Sequence, residues 1–214
     1  VNQYHKIKTV YKRDPKNMRY LVEGEWATPE FEYLADSEWV YTEKVDGTNI
    51  RVMWDGSAVI LGGKTDSAQL YAPLVQKLQE IFDTTPARQI WRDKFGEEGS
   101  VCLYGEGYGA KIQKGGGNYK SDDVDFALFD VKIGPLWLKR NDVEDIANTF
   151  GIKVVPIVGT GTLPKAINII RSGVFQSQWG DFLAEGLVCR PVTELCDRRG
   201  DRIITKVKYR DFPQ

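Results

Sequence analysis

The chain has a single histidine, His5, among 214 residues. It lies far in sequence from every segment that carries chemistry, which argues against a histidine general base. Three cysteines, Cys102, Cys189 and Cys196, are too few and too scattered for a disulfide framework or a zinc site. They imply a reducing, intracellular setting, with the cytoplasm as the expected location. No apolar run approaches the roughly 20 residues of a membrane span. The opening VNQYHKIKTVYKRD lacks the apolar core of a signal peptide. Charge of one sign is missing too: 29 Lys and Arg against 30 Asp and Glu leave a net charge of -1. Without a global basic field, a nucleic-acid ligand would have to be held by a local patch. There is no internal repeat, low-complexity tract or long linker. Gly115-Gly116-Gly117 is the one loop-like break in the middle of the chain.

What remains is a chain with 42% apolar and 28% charged residues, enough for a core and a solvated surface. Its length suits one large domain or two small ones. The expectation is one domain over residues 1–214, monomeric, with no C-terminal OB or helical domain. Runs rich in β-branched and aromatic residues predict strands at WVYTE, TNIRVMW, SAVILGG, SVCLYGE, DFALFDV, KVVPIV, GLVCRP and RIITKVK. Helices are predicted over 67–82, 86–95, 142–150 and 164–172. In the first, Leu70, Leu74, Leu78 and Ile81 recur at three- and four-residue spacing and form an apolar face. In the third, Asn141 reads as the N-cap and Gly151 as the C-terminal stop. Strands and helices mix without strict alternation, which gives an α+β fold with largely antiparallel sheets.

The richest segment is EKVDGTNIRV, residues 43–52. An extended stretch leads to Lys44, the chain turns at Asp46-Gly47, and a strand resumes at Ile50. A lysine at such a turn can project into a pocket and act as a nucleophile once it is neutral. With a free pKa of about 10.4, only a few amines in ten thousand are neutral at pH 7. Burial and neighbouring cations lower that pKa. Lys206 and Lys208 alternate on one strand and so share a face. Two ammoniums side by side call for an anion between them. Read by themselves, the lysine turn also fits a solvated hairpin and the lysine pair a solvated face.

Four further segments follow in order: LYGEGYG around Glu106, FALFDV around Phe129, AEGLVCRP around Glu185, and ITKVKY. Together with the lysine turn they resemble the ordered motifs of the covalent nucleotidyltransferases, the superfamily of polynucleotide ligases and messenger-RNA capping enzymes. The resemblance runs from about Glu38 to Phe212. Asn49, at the fifth residue after the lysine, stands where DNA ligases and capping enzymes carry arginine. TEKVDGTNI is similar to the phage-type, nick-sealing RNA ligase 2 family.

The resemblance implies two packed, largely antiparallel sheets flanked by helices, with an ATP cleft. It implies an ATP-dependent RNA ligase that forms lysyl-AMP at Lys44, passes AMP to a 5′-phosphate and joins that end to a 3′-hydroxyl. Lys44, Lys206, Lys208 and Glu106 become the catalytic candidates. Glu43, Asn49, Lys64, Phe129 and Glu185 join them as nucleotide-binding candidates. Glu185 is also the ligand for Mg²⁺ or Mn²⁺, whose hard-oxygen preference a carboxylate meets. Phe129 is the residue expected to stack on the adenine, with Phe126, three positions earlier, as the alternative. RNA is the expected partner, as a nicked duplex or as free ends, with DNA also open. Another ligase, a capping-type transferase and a non-catalytic end-binding module are the other functions this fold could serve.

Two departures stand out. Lys64-Thr65 replaces the family's Arg-Thr pair, which keeps the charge but loses the bidentate fork. Asp46 stands where the RNA ligase 2 prototype has histidine. Lys111, Lys114 and Lys120, with Tyr108 and Tyr119, make a basic-aromatic loop suited to a phosphate backbone. Arg51 reads as an outward strand residue.

Overall fold

A computed structural model describes residues 3–97 and 99–213. In chain order the strands are β1 (Lys8–Thr9), β2 (Tyr11–Arg13), β3 (Leu21–Trp26), β4 (Trp39–Glu43), β5 (Thr48–Trp54), β6 (Val59–Gly62), β7 (Val101–Gly109), β8 (Val124–Ile133), β9 (Leu136–Trp137), β10 (Lys153–Val154), β11 (Ile157–Gly161), β12 (Gly186–Pro191) and β13 (Thr205–Lys208). The helices are α1 (Pro29–Tyr33), α2 (Ala72–Phe82), α3 (Thr85–Phe95), α4 (Gly116–Tyr119), α5 (Arg140–Phe150) and α6 (Leu163–Arg171). The fold is α+β, with largely antiparallel sheets flanked by helices. The chain divides into two compact units, one of Asp46–Val155 with the N-terminal residues through Tyr4, the other of His5–Val45 and Pro156–Gln214.

In the first unit the strand order is β10-β8-β7-β5-β6, with β9 on β8. Every pairing is antiparallel except β10 on β8. Alternation sends Ile50, Val52 and Trp54 of β5 and Leu103 of β7 to one face. There they pack with Leu74, Leu78 and Phe82 of α2, Trp91 of α3 and Val143 and Ile146 of α5. Trp54 and Trp91 stack at 5.8 Å. Each such fully buried side chain contributes roughly 1.5–3 kcal/mol. Gly105 is required in this layer: a Cβ there would stand 2.2 Å from the Phe126 ring.

In the second unit the strand order is β1-β13-β12-β4-β11, with a separate β2-β3 pair. Its core gathers Trp39, Tyr41, Leu187, Cys189 and Val207 against Leu163, Ala166, Ile167 and Ile170 of α6. A Cβ on Gly186 would lie 2.1 Å from the Val207 carbonyl, so glycine lets β12 and β13 approach where the lysine pair ends.

β4 and β5 do not form the hairpin that the lysine turn by itself also fits; each lies in a different sheet. Three local expectations change. KVVPIV is two strands, because Pro156 has no N–H for a ladder. β10 joins β8 in the first unit and β11 joins β4 in the second. α2 begins at Ala72, not at residue 67; Pro73 fixes the first turn and the residues before it stay extended. α5 begins at Arg140 with Lys139 in the cap position, so Asn141 lies inside the helix. Gly151 does close that helix, with φ 66 in the left-handed region.

Candidate functional site

Lys44 follows the last residue of β4 and is fixed by its backbone, whose N–H donates to the Gly186 carbonyl at 2.9 Å. Its ammonium donates to Glu185 Oε2 at 2.6 Å. This charge-assisted contact is at the short end for such pairs. The Glu185 side chain is 9% exposed and that of Lys44 24%, so the pair is partly withdrawn from water. The other Glu185 oxygen faces Arg210 at 3.4 Å. The carboxylate therefore sits between two cations.

β13 supplies the next charges. Val207 points into the core, and Lys206 and Lys208 point to the other face. Lys206 lies opposite Val188 and Lys208 opposite Gly186. Lys208 is buried, which holds its ammonium below the usual lysine range. Asp211 opposes that shift; Arg210 adds to it, Glu185 opposes it and Lys44 adds to it. The Lys208–Asp211 separation is 3.7 Å, and Asp211 also accepts from Arg13 at 3.1 Å. The second unit thus places Lys44, Glu185, Lys208, Arg210 and Asp211 within mutual electrostatic reach. Sequence reasoning missed Asp211, Arg210 and Arg13. The signal for the first two was their place one turn beyond Lys208.

Glu43 departs from expectation. It pairs with Leu187 on the core face of the sheet, while Lys44, one residue on, turns to the other face. Its carboxylate is 1% exposed and accepts from Ser177 Oγ at 2.5 Å and the Gln178 N–H at 2.8 Å. Burial raises its pKa against those two bonds. Glu43 anchors the 177–178 turn; its side chain does not join the lysines. Alternation along an extended strand is the reason.

In the first unit, the sheet face opposite the core carries the other candidates. Asn49 of β5 lies directly across from Glu106 of β7. Both are partly buried, and Asn49 Oδ1 is a buried atom with no hydrogen-bond partner among the described residues. Phe126 is fully buried in the core against Phe82. Phe129 is partly exposed, and its ring meets Tyr4 edge-on at 5.1 Å. Three residues apart on one strand, the two rings point to opposite faces, and the register adds a second feature. Tyr104 pairs with Asp130 but Gly105 with Leu128, so Phe129 is the extra residue of a β-bulge. A bulge leaves its extra residue unpaired and bends the strand locally, which re-aims the side chain there. Tyr4 also donates to Asp130 at 2.7 Å.

Lys64 is exposed on the loop after β6. Arg51 is not an exposed strand residue: it is fully buried, donating to the Gly63 carbonyl at 2.7 Å and to Asp66 at 2.8 Å. It ties down the loop that carries Lys64-Thr65. Among the described residues no helix is long and apolar enough to cross a membrane. Nor does any group of three or more His, Cys, Asp and Glu side chains among them form a metal cage.

A sheet presenting a lysine beside a carboxylate and two further lysines has the character of a nucleotidyl-transfer fold. The family model for RNA ligase matches residues 37–208, and the chain belongs to the RNA ligase family. Solved structures of an RNA ligase from Naegleria gruberi share the fold. An apo form gives a TM-score of 0.64 at 18% identity, covering 95% of this chain and 56% of that one. A form with ATP and Mn gives 0.62 at 19% identity, covering 84% and 51%. A form with AMP and Mn gives 0.62 at 18% identity, covering 84% and 52%. The chain therefore spans about half the length of these relatives.

Proposed function

We propose that this chain is the adenylation module of an ATP-dependent RNA ligase of the nick-sealing type, with Lys44 as its nucleophile. The observation that carries the reading is the Lys44–Glu185 ion pair at 2.6 Å, on the sheet face that also bears Lys206 and Lys208. In the first step the neutral Lys44 amine bonds to the α-phosphorus of ATP. The bond to the bridging oxygen breaks, pyrophosphate leaves with the electron pair, and the amine proton passes to solvent. In the second step an oxygen of a 5′-phosphate displaces the lysine. In the third, a 3′-hydroxyl attacks that phosphate and AMP leaves.

The Lys44 amine is engaged by Glu185, so that contact must open before attack. Lys206 and Lys208 hold the α-phosphate, where charge stabilisation is the main catalytic contribution. Burial lowers the Lys208 pKa, and an anionic phosphate beside it opposes that shift. A single carboxylate at this site fits a Mg²⁺ or Mn²⁺ ion, since such an ion usually keeps several waters and needs only one or two protein carboxylates. Glu185 would hold it, and its chemistry would be to neutralise charge on the nucleotide phosphates. Phe129 stacks on the adenine and Glu106 accepts from the ribose hydroxyls. The unsatisfied Asn49 amide oxygen accepts a hydroxyl, which suits the 3′-end. Lys64 contacts phosphate from its loop. The ATP and Mn of the Naegleria structures support this cofactor choice.

The test is sealing of a nicked duplex in which each strand is in turn RNA or DNA, with ATP and Mg²⁺. Sealing is expected when the 3′-hydroxyl strand at the nick is RNA. Activity with GTP in place of ATP, or on none of the duplexes, would contradict the reading.

A further inference from the structure

We infer that the loop over residues 110–119 is a preformed contact surface for an RNA phosphate backbone, with Lys111 and Lys114 as its phosphate-binding residues. The inference rests on the ligase reading for the identity of the polyanion.

The loop is anchored at both ends and in its middle. Ile112 is 5% exposed and belongs to the core of the first unit. Its N–H donates to the Gly109 carbonyl at 3.1 Å, and the Ala110 N–H to Asp123 at 2.9 Å. On either side of Ile112, Lys111 and Gln113 have φ of 63 and 55, the only non-glycine residues in the left-handed region among those described. Such residues persist only where the surroundings over-determine them, and they concentrate at functional sites. Asp46, two residues after Lys44, is the clamp at the far end. Its carboxylate accepts from the Gly115 N–H at 3.1 Å, and its own N–H donates to Tyr119 Oη at 3.2 Å. Asp46 thus has a structural task here.

The consequence is that two exposed lysines stand on a rigid support. Neither makes an ion pair among the described residues. Lys120, which the sequence groups with them, is different: Asp123 at 2.9 Å and Asp125 at 3.2 Å take its charge. Tyr108 is buried, so it is no platform for a base. With the backbone already fixed, the ordering cost of binding an anion is confined to the lysine side chains. A repeating anion such as a phosphodiester chain can engage both at once.

The experiment pairs Lys111→Asn with Lys114→Gln, which remove charge while asparagine tolerates the left-handed backbone. Binding of a single-stranded 5′-phosphorylated RNA is read by fluorescence anisotropy across a salt series, beside lysyl adenylation with ATP alone. Loss of two phosphate contacts is expected to lower the slope of log affinity against log salt by about 1.4. The advantage of the unsubstituted chain should then shrink about sevenfold between about 50 and 200 mM salt. Adenylation and the thermal midpoint should stay within error. An unchanged slope would overturn the inference. So would a parallel loss of adenylation, which would assign the loop to ATP instead. If the unsubstituted chain forms no lysyl adenylate, the ligase reading fails, while the salt series still decides whether the loop binds RNA.

Discussion

Replacing either of two phenylalanines on β8 by alanine should give opposite phenotypes. Phe126 is fully buried, with its ring against Phe82 at 5.6 Å and against the bare backbone of Gly105. Truncating such a ring costs about 3–5 kcal/mol. For a chain of this length each kcal/mol moves the midpoint by about 2–4 °C, so Phe126→Ala should unfold roughly 6–20 °C early. Phe129 sits on the bulge and loses chiefly its edge contact with Tyr4. That contact is worth about 0.5–1.5 kcal/mol, or roughly 1–6 °C. Base stacking on an aromatic ring contributes about 1–3 kcal/mol, so Phe129→Ala should weaken ATP about 5- to 150-fold. Thermal unfolding by circular dichroism and ATP titration of lysyl adenylation, both below the first transition, separate the two effects. If Phe129→Ala unfolds as early as Phe126→Ala, or if ATP affinity falls equally in both, the assignment of the two faces is wrong.

Glu185→Gln removes the partner of Lys44 and the carboxylate assigned to the metal; adenylation should fall on the order of 100-fold and respond weakly to a Mg²⁺ titration. A rate equal to that of the parent chain would remove Glu185 from the mechanism. Of the three thiols only exposed Cys196 should react with a disulfide reagent in the native protein. Burial keeps Cys189 protonated and pushes the Cys102 pKa up to about 11, so rapid release of more than one equivalent would contradict the packing. Burial, with a smaller contribution from Cys189, raises Tyr41 from 10.0 to about 12. Its contribution to stability is therefore complete below pH 10 and is lost as pH rises towards 12. Denaturant midpoints over that window should fall less steeply for Tyr41→Phe than for the parent chain, and equal slopes would refute the point.

Much of this arrangement is legible in the sequence because it depends on alternation and short spacing. Lys206 and Lys208 share a face since one residue separates them, and Val207 between them is plainly apolar. The same rule, applied to Glu43 and Lys44, sends them to opposite faces. Treating both as nucleotide residues followed the resemblance and ignored the pleat. The bulge at Phe129 is harder, because one inserted residue shifts the alternation of β8 with no compositional mark. Pro156 was the visible reason to divide KVVPIV, yet the apolar residues on both sides concealed the break. The partners of the lysine face, Arg13 and Asp211, lie 198 positions apart. Only the fold brings them together.

The most direct test of the account is the site of covalent labelling. The chain is incubated with ATP labelled at the α-phosphate and Mg²⁺, digested, and the adenylylated peptide sequenced by mass spectrometry. The account predicts one acid-labile, alkali-stable adenylate on Lys44, lost in Lys44→Ala while ATP still binds. An adenylate on another lysine, or none from a chain that binds ATP fully, would contradict it.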